Sequence, residues 1–165
     1  MENLDRRKLL GQGVVAGLAL PVLSSKVGSA SAAAPENIVS FRRTQPPEWL
    51  TAMWKEIDDK TFGKGFDCFR EDAICNLGVA DWHGREAIRQ NLRAFIDTGF
   101  TAHHDVIEYL DGGSLKVFRG IVTMTPNDKA KPTVRPVMTH FFYMDKDDHT
   151  KVTHWYGSVG PVSFT

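Results

Sequence analysis

The sequence predicts an α+β domain, with helices in its N-terminal half and a curved, mainly antiparallel sheet after them. Apolar residues recur at helical spacing in three stretches between residues 48 and 98, whereas strand-like stretches separated by hairpin-sized turns follow residue 103. Parallel neighbours need crossover helices, and the C-terminal strands have none between them. An antiparallel sheet packed against helices is therefore the expected architecture.

Three helices are predicted. Pro46 and Pro47 favour a helix start, Gly63 and Gly65 separate a second short helix from the first, and Gly99 ends the third. The predicted helices are 48–60, a short segment containing Phe62, Phe66 and Phe69, and 85–98.

Five strands are predicted, one between the helices and four after them. They are 73–79, 103–110, 115–125, 133–144 and 151–159. The strand at 133–144 carries apolar side chains on both of its faces, so neither face of the sheet is plainly solvated. We expect one face to pack on the helices and the other on a partner subunit, which predicts a homodimer.

Residues 1–34 are predicted to be an export signal. Arg6 and Arg7 precede an apolar run, Leu9 to Leu23, that is too short and too rich in glycine for a stable membrane span. Small residues follow, and cleavage is expected after Ala32. The pattern resembles a twin-arginine signal, with an uncleaved membrane anchor as the alternative. Either reading places the domain outside the cytoplasm, in the periplasm or beyond the cell.

Composition limits the rest of the chain to one ordinary globular domain. Of 165 residues, 42% are apolar and 24% charged, so we expect a linker at 35–45 and a single domain at 46–165. Removing four basic and two acidic signal residues from the 20 of each leaves 16 and 18. A net charge of about −2 provides no basic face for nucleic acid.

Two cysteines, Cys68 and Cys75, are predicted to be small buried apolar residues, with a disulfide as the alternative. The sequence has no paired Cys and His spacings of the kind that bind zinc, so no metal site is predicted. We also expect no cofactor.

Several local patterns resemble the SnoaL-like branch of the nuclear transport factor 2-like superfamily across residues 46–160. The matching phrases are Trp54 to Asp59, the F-x-x-D-A phrase from Phe69 to Ala73, the phrase from Trp82 to Ile88, and the histidines at 103 and 104. The resemblance implies a sheet that curls into a cone, a cystatin-like α+β barrel, covered by the three N-terminal helices. It also implies a pocket with apolar walls and a few polar side chains.

The resemblance to scytalone dehydratase-like members implies an acid–base pair. Asp58 falls on the acid near the end of the first helix, with Asp59 as the alternative register, and His103 or His104 falls on the opposing histidine. A carboxylate beside an imidazole fixes its tautomer and makes it a better base. Strand alternation turns one of the two histidines inward and the other outward.

A third polar residue follows from the ketosteroid isomerase-like members. His140 falls on the strand where they place a hydrogen-bond donor to a developing enolate, and a histidine can donate there. Its parity groups it with an apolar stripe, which favours an inward position. The predicted substrate-binding residues are Trp54, Phe66, Met138, Phe142 and His154.

The chain also departs from the family. Met53 or Trp54 stands where isomerase and dehydratase members have a tyrosine, and neither residue offers a phenol. Asn76 or Leu77 stands where the isomerases have their general base. Arg119 also has no aspartate two residues on, so the Arg-x-Asp pairing of epoxide hydrolase members is absent.

The expected function is binding of a small apolar or polyketide-like cyclic molecule. Three polar groups directed at one apolar cavity suit a cofactor-free dehydratase, cyclase or isomerase. The missing tyrosine and the export signal suit a non-catalytic binder or carrier, and a structural dimerisation module is the third possibility.

Overall fold

A computed structural model describes residues 40–78 and 80–160 of the chain. The predicted export signal and its cleavage site lie outside these residues, as does the first half of the predicted linker. No helix among the described residues is long and apolar enough to cross a membrane.

The described chain forms a seven-stranded sheet, two α-helices and one short 3₁₀ helix. The elements are β1 Arg42–Arg43, α1 Glu48–Asp58, the 3₁₀ helix Lys64–Cys68, β2 Phe69–Asn76, β3 Asp81–His83, α2 Arg85–Ile96, β4 Phe100–Asp111, β5 Leu115–Pro126, β6 Val137–Met144 and β7 Val152–Val159.

The strands lie in the order β1-β4-β5-β6-β7-β2-β3, and only β2 and β7 run parallel. The predicted α+β class and mainly antiparallel sheet are therefore confirmed. The sheet does not close into a barrel, because β1 and β3 form its two separate edges.

The prediction of three N-terminal helices is wrong. The segment after α1 is a five-residue 3₁₀ helix, and Phe69 already belongs to β2. Phe66 and Phe69 were predicted to share one helix, yet only Phe66 lies in the 3₁₀ helix. The third predicted helix is present as α2, and it follows a strand, as the sequence predicted.

Strand boundaries differ from the predicted ones at several positions. The F-x-x-D-A phrase lies wholly in β2, and the linker contains β1, which pairs with the end of β4. Strand β4 begins at Phe100, three residues earlier than predicted. Strand β6 begins at Val137, although Val134 still forms an isolated bridge with Met124.

The core lies between the helices and one face of the sheet, which we call the inner face. Helix α1 buries Leu50, Met53, Trp54 and Ile57, one apolar stripe at helical spacing. Each such side chain contributes about 1.5–3 kcal/mol by leaving water. The inner face supplies Phe118, Met138, His140, Phe142 and Trp155, and α2 supplies Ile88, Leu92 and Ile96. Both cysteines are free and buried.

The opposite, outer face of the sheet also carries apolar side chains. Val137, Phe141, Tyr143 and Tyr156 are all exposed. Both faces of the sheet therefore carry apolar side chains, as the sequence predicted. The homodimer stays a prediction.

Gly157 makes room for a histidine in the core. It pairs with His140 across β6 and β7. A Cβ added to Gly157 would lie 2.1 Å from His140 Nδ1 and 2.6 Å from its Cε1, closer than atoms pack. The imidazole therefore occupies the space that any other residue at 157 would fill.

Replacing Gly157 with alanine tests this packing. We expect Gly157→Ala to destabilise the domain by about 1–3 kcal/mol, because the new methyl group displaces a buried ring. In a His140→Ala background the same change should cost less than about 0.5 kcal/mol, since the ring is gone. Urea unfolding of the wild type, the two single variants and the double variant measures the coupling between the two residues. An equal loss of stability from Gly157→Ala in both backgrounds would contradict the packing of His140 against Gly157.

Candidate active site

A cavity of about 110 Å³ lies between the helices and the inner face of the sheet. Its walls come from α1, α2, β4, β5, β6 and β7, together with Leu77, which follows β2. They are formed by Trp54, Ile57, Leu77, Leu92, Phe95, Ile96, Phe100, Ala102, His104, Val122, Met124, Met138, His140, Trp155 and Val159. The walls are apolar except for two imidazoles and two indole N–H groups.

Asp58 and His104, two of the residues predicted to lie together, are in hydrogen-bond contact. Asp58 Oδ1 lies 2.5 Å from His104 Nδ1, and Asp58 Oδ2 accepts the backbone N–H of His104 at 3.0 Å. The carboxylate therefore holds both the strand and the ring. A ring whose Nδ1–H donates to a carboxylate keeps its lone pair on Nε2, the nitrogen that can accept a proton.

The strand settles which histidine faces inward. The His104 side chain is 7% exposed and lines the cavity, whereas that of His103 is 69% exposed. His103 Nδ1 lies 3.3 Å from Asp58 Oδ2 on the outer side of the carboxylate. Asp58 thus separates one imidazole at the cavity from another at the surface.

His140 is buried on β6 and stays neutral. Burial, and then the nearby His104 ring, lower the pKa of His140 to about 3. Its Nδ1 accepts the indole N–H of Trp155 at 3.0 Å, so the proton of the neutral ring sits on Nε2. No described group hydrogen-bonds that Nε2. His140 is accordingly a buried N–H donor in the cavity wall.

Trp54 joins the two histidines. Its indole stacks on His104 with ring centroids 4.3 Å apart, and its centroid lies 5.1 Å from that of His140. The Trp54 Nε1–H is buried and also lacks a hydrogen-bond partner among the described residues. This donor is absent from the sequence-based prediction, which treated Trp54 as an apolar wall.

The remaining predicted residues divide between the cavity and other places. Met138 lines the cavity. Phe66 and Phe142 are buried in the core without lining it, and His154 lies on the outer face beside Tyr143 and Tyr156. Asp59, the alternative acid, pairs with Lys55 at the surface instead.

Trp155 is a site residue that sequence reasoning missed. The prediction took His154 as the substrate-binding residue of this strand, yet its neighbour Trp155 is 1% exposed and packs on Phe142 and His140. The β6–β7 ladder shifts register between Tyr143 and Met144, which changes the phase of alternation along β7. A sequence carries no clear sign of such a bulge.

A second depression adjoins the cavity. It has a volume of about 340 Å³ and shares Phe95, Phe100 and Met124 with the cavity wall. The cavity alone is smaller than the roughly 300 Å³ of common ligand pockets. A cyclic ligand of polyketide size would therefore have to occupy both spaces.

Metal ligation is not evident in the described part of the chain. Across residues 40–78 and 80–160, no three His, Cys, Asp or Glu side chains lie together so as to hold an ion.

Comparison with known proteins gives the fold. No protein-family model and no curated protein matches the sequence. Solved structures do match. One is described as a SnoaL-like polyketide cyclase from Shewanella denitrificans OS-217, at 12% identity and a TM-score of 0.56, over 68% of this chain and 88% of that one.

Another is a protein with a ketosteroid isomerase-like fold from Catenulispora acidiphila DSM 44928, solved with trimethylamine, at 16% identity and a TM-score of 0.58. The match covers 68% of this chain and 85% of that one. The domain has the nuclear transport factor 2-like fold.

A third match to the nuclear transport factor 2-like domain is an LEH-like epoxide hydrolase from M. tuberculosis. It is 12% identical, with a TM-score of 0.55, over 67% of this chain and 79% of that one. These three proteins share one fold but are described as different kinds of protein. The function of this chain therefore has to be argued from its own side chains.

The neutral state of His140 makes stability depend on pH. The pKa of His140 is about 3 in the folded protein, against about 6.5 for an unperturbed histidine. Between these values the unfolded chain binds the extra proton, so stability is lost as the pH falls below about 6.5.

We therefore compare the wild type with His140→Gln, which does not titrate. The wild type should lose about 1.4 kcal/mol more stability per pH unit than this variant between about pH 6 and 4.5. Urea unfolding at several pH values measures the difference, and the carboxylates common to both proteins cancel. Parallel curves for the two proteins would show that His140 is not held neutral.

Proposed function

We propose that this domain catalyses cofactor-free proton transfer beside a carbonyl group of a small apolar molecule, in a dehydration, cyclisation or isomerisation. One observation carries the proposal: an imidazole held by a carboxylate and a neutral imidazole with a free N–H line the same apolar cavity. The N-terminal twin arginine supports a second proposal, that the protein works outside the cytoplasm.

His104 is the proposed base. Its Nε2 removes a proton from the carbon next to the carbonyl, and Asp58 stabilises the imidazolium that forms. The proton then returns from His104 to another carbon in an isomerisation or to a departing hydroxyl in a dehydration. In a cyclisation the carbanion attacks a second carbonyl carbon of the substrate, and the proton goes to the oxygen of that carbonyl. Each step balances within the substrate and the ring, without an oxidant or a metal.

His140 is the proposed electrophilic group. As proton removal shifts negative charge onto the carbonyl oxygen, the Nε2–H of His140 donates to that oxygen. A neutral imidazole suits this role because it can be buried without the free-energy cost of removing a charged imidazolium from water, and it still donates a hydrogen bond. Trp155 fixes the donating tautomer through its bond to Nδ1.

Deuterium exchange tests the proposal without a known substrate. Butanone and cyclopentanone in D₂O, followed by proton NMR, report removal of a proton next to a carbonyl. We expect the wild-type protein to accelerate exchange and His104→Gln to lose about 100-fold or more of that acceleration. Asp58→Asn should also lose most of it, because the wrong tautomer is then favoured.

His149→Gln is the matched control, since His149 lies in an exposed turn and does not line the cavity. It should exchange as fast as the wild type. Exchange that is equally fast in His104→Gln, or no faster in the wild type than in buffer, would refute the proposal.

Binding without turnover is the second candidate function. The small volume of the cavity and the absence of a phenol on α1 favour it. Native mass spectrometry of protein from its own host would then show a retained small molecule, while the ketones would exchange no faster than in buffer.

A further inference from the structure

Two unpartnered hydrogen-bond donors are concentrated at the cavity. Four buried side-chain polar atoms in the described part of the chain lack a hydrogen-bond partner, and two of them are Trp54 Nε1 and His140 Nε2. Both residues line the cavity, both are more than nine-tenths buried, and their rings are neighbours at 5.1 Å.

A buried donor without a partner costs about 1–3 kcal/mol. Two such groups at one small cavity call for an acceptor there. A carbonyl oxygen has two lone pairs and can accept a hydrogen bond from each donor. Hydrocarbon alone would fill the volume and leave both N–H groups unpaired.

The walls also define the charge of the acceptor. Apart from His104, His140 and the indole N–H groups, the cavity is lined by aliphatic, thioether and phenyl side chains, and His140 is uncharged. A carboxylate or phosphate would lose its hydration without gaining a cation such as Arg or Lys. A neutral oxygen meets no such penalty.

The volume sets the size of the part that enters. An engineered cavity of about 150 Å³ holds benzene, with six non-hydrogen atoms. By the same proportion, the 110 Å³ here holds roughly four or five. Further atoms of a larger ligand would extend into the adjoining depression beyond Phe95, Phe100 and Met124.

We infer that the ligand is a neutral carbonyl compound whose oxygen accepts hydrogen bonds from both Trp54 Nε1–H and His140 Nε2–H. Trp54 thereby supplies a donor on α1 in place of a tyrosine, and it selects ketones and aldehydes over acids and hydrocarbons. The inference deepens the proposed function, because it concerns the same cavity, but it concerns binding and does not require turnover.

A pair of isosteric probes tests the inference. Butanone and 2-methylbut-1-ene have the same number of non-hydrogen atoms and differ in whether the double bond ends in oxygen or CH₂. Each is titrated into ¹⁵N-labelled protein, and the indole N–H signals of the four tryptophans are followed, with Trp54→Phe identifying the signal of Trp54.

We expect butanone to bind at least tenfold more tightly than the alkene and to shift the Trp54 indole proton downfield, as a new hydrogen bond does. The signals of Trp49 and Trp82, which do not line the cavity, should move little. Trp54→Phe should reduce the preference for the ketone by about tenfold, and the matched Trp82→Phe should preserve it.

Equal affinities for the two probes, or a Trp54 signal unmoved by saturating ketone, would overturn the inference. If Trp54→Phe does not fold, nuclear Overhauser contacts with the stacked His104 ring assign the Trp54 signal instead, and the wild-type titration still decides. A shifted Trp54 signal without deuterium exchange would refute the proposed catalysis and leave this inference standing. Exchange without the shift would do the reverse.

Discussion

The contact between Asp58 and His104 is the constraint on which the site depends. Strand β1 pairs with β4 only at Leu110 and Asp111, so in the described chain the rest of that edge of β4 has no strand beside it. Asp58 at the end of α1 accepts a backbone N–H of this edge and an N–H of the histidine ring together. One carboxylate thus pairs a backbone N–H at the open edge of β4 and holds α1 against the sheet. The same carboxylate sets the tautomer of the His104 ring in the cavity wall.

The second histidine depends on packing rather than on charge. His140 occupies the core because Gly157 leaves room for its ring and Trp155 donates to its Nδ1. Burial then keeps the ring neutral, and neutrality leaves a donor at Nε2. The site therefore combines a ring that can take a proton, held by a carboxylate, with a ring that can only donate one, held by an indole.

Much of this arrangement was predictable, and the errors have physical causes. The α+β class, the antiparallel hairpins and the Asp58–histidine contact follow from periodicity and from the family resemblance. The choice of His104 over His103 follows from parity once β4 is known to begin at Phe100, because Phe100, Ala102 and His104 share the inner side. The inward position of Trp155 did not follow, because a register shift between β6 and β7 interrupts the alternation.

The central claim is that His140, neutral and protonated on Nε2, and His104, protonated on Nδ1, line the same cavity, and long-range ¹H–¹⁵N spectra of the six histidines test it most directly. Our account predicts that His140 carries its proton on Nε2 throughout pH 5–8 and that His104 carries a proton on Nδ1. A His140 ring that becomes an imidazolium near pH 6, or that bears its proton on Nδ1, would contradict it.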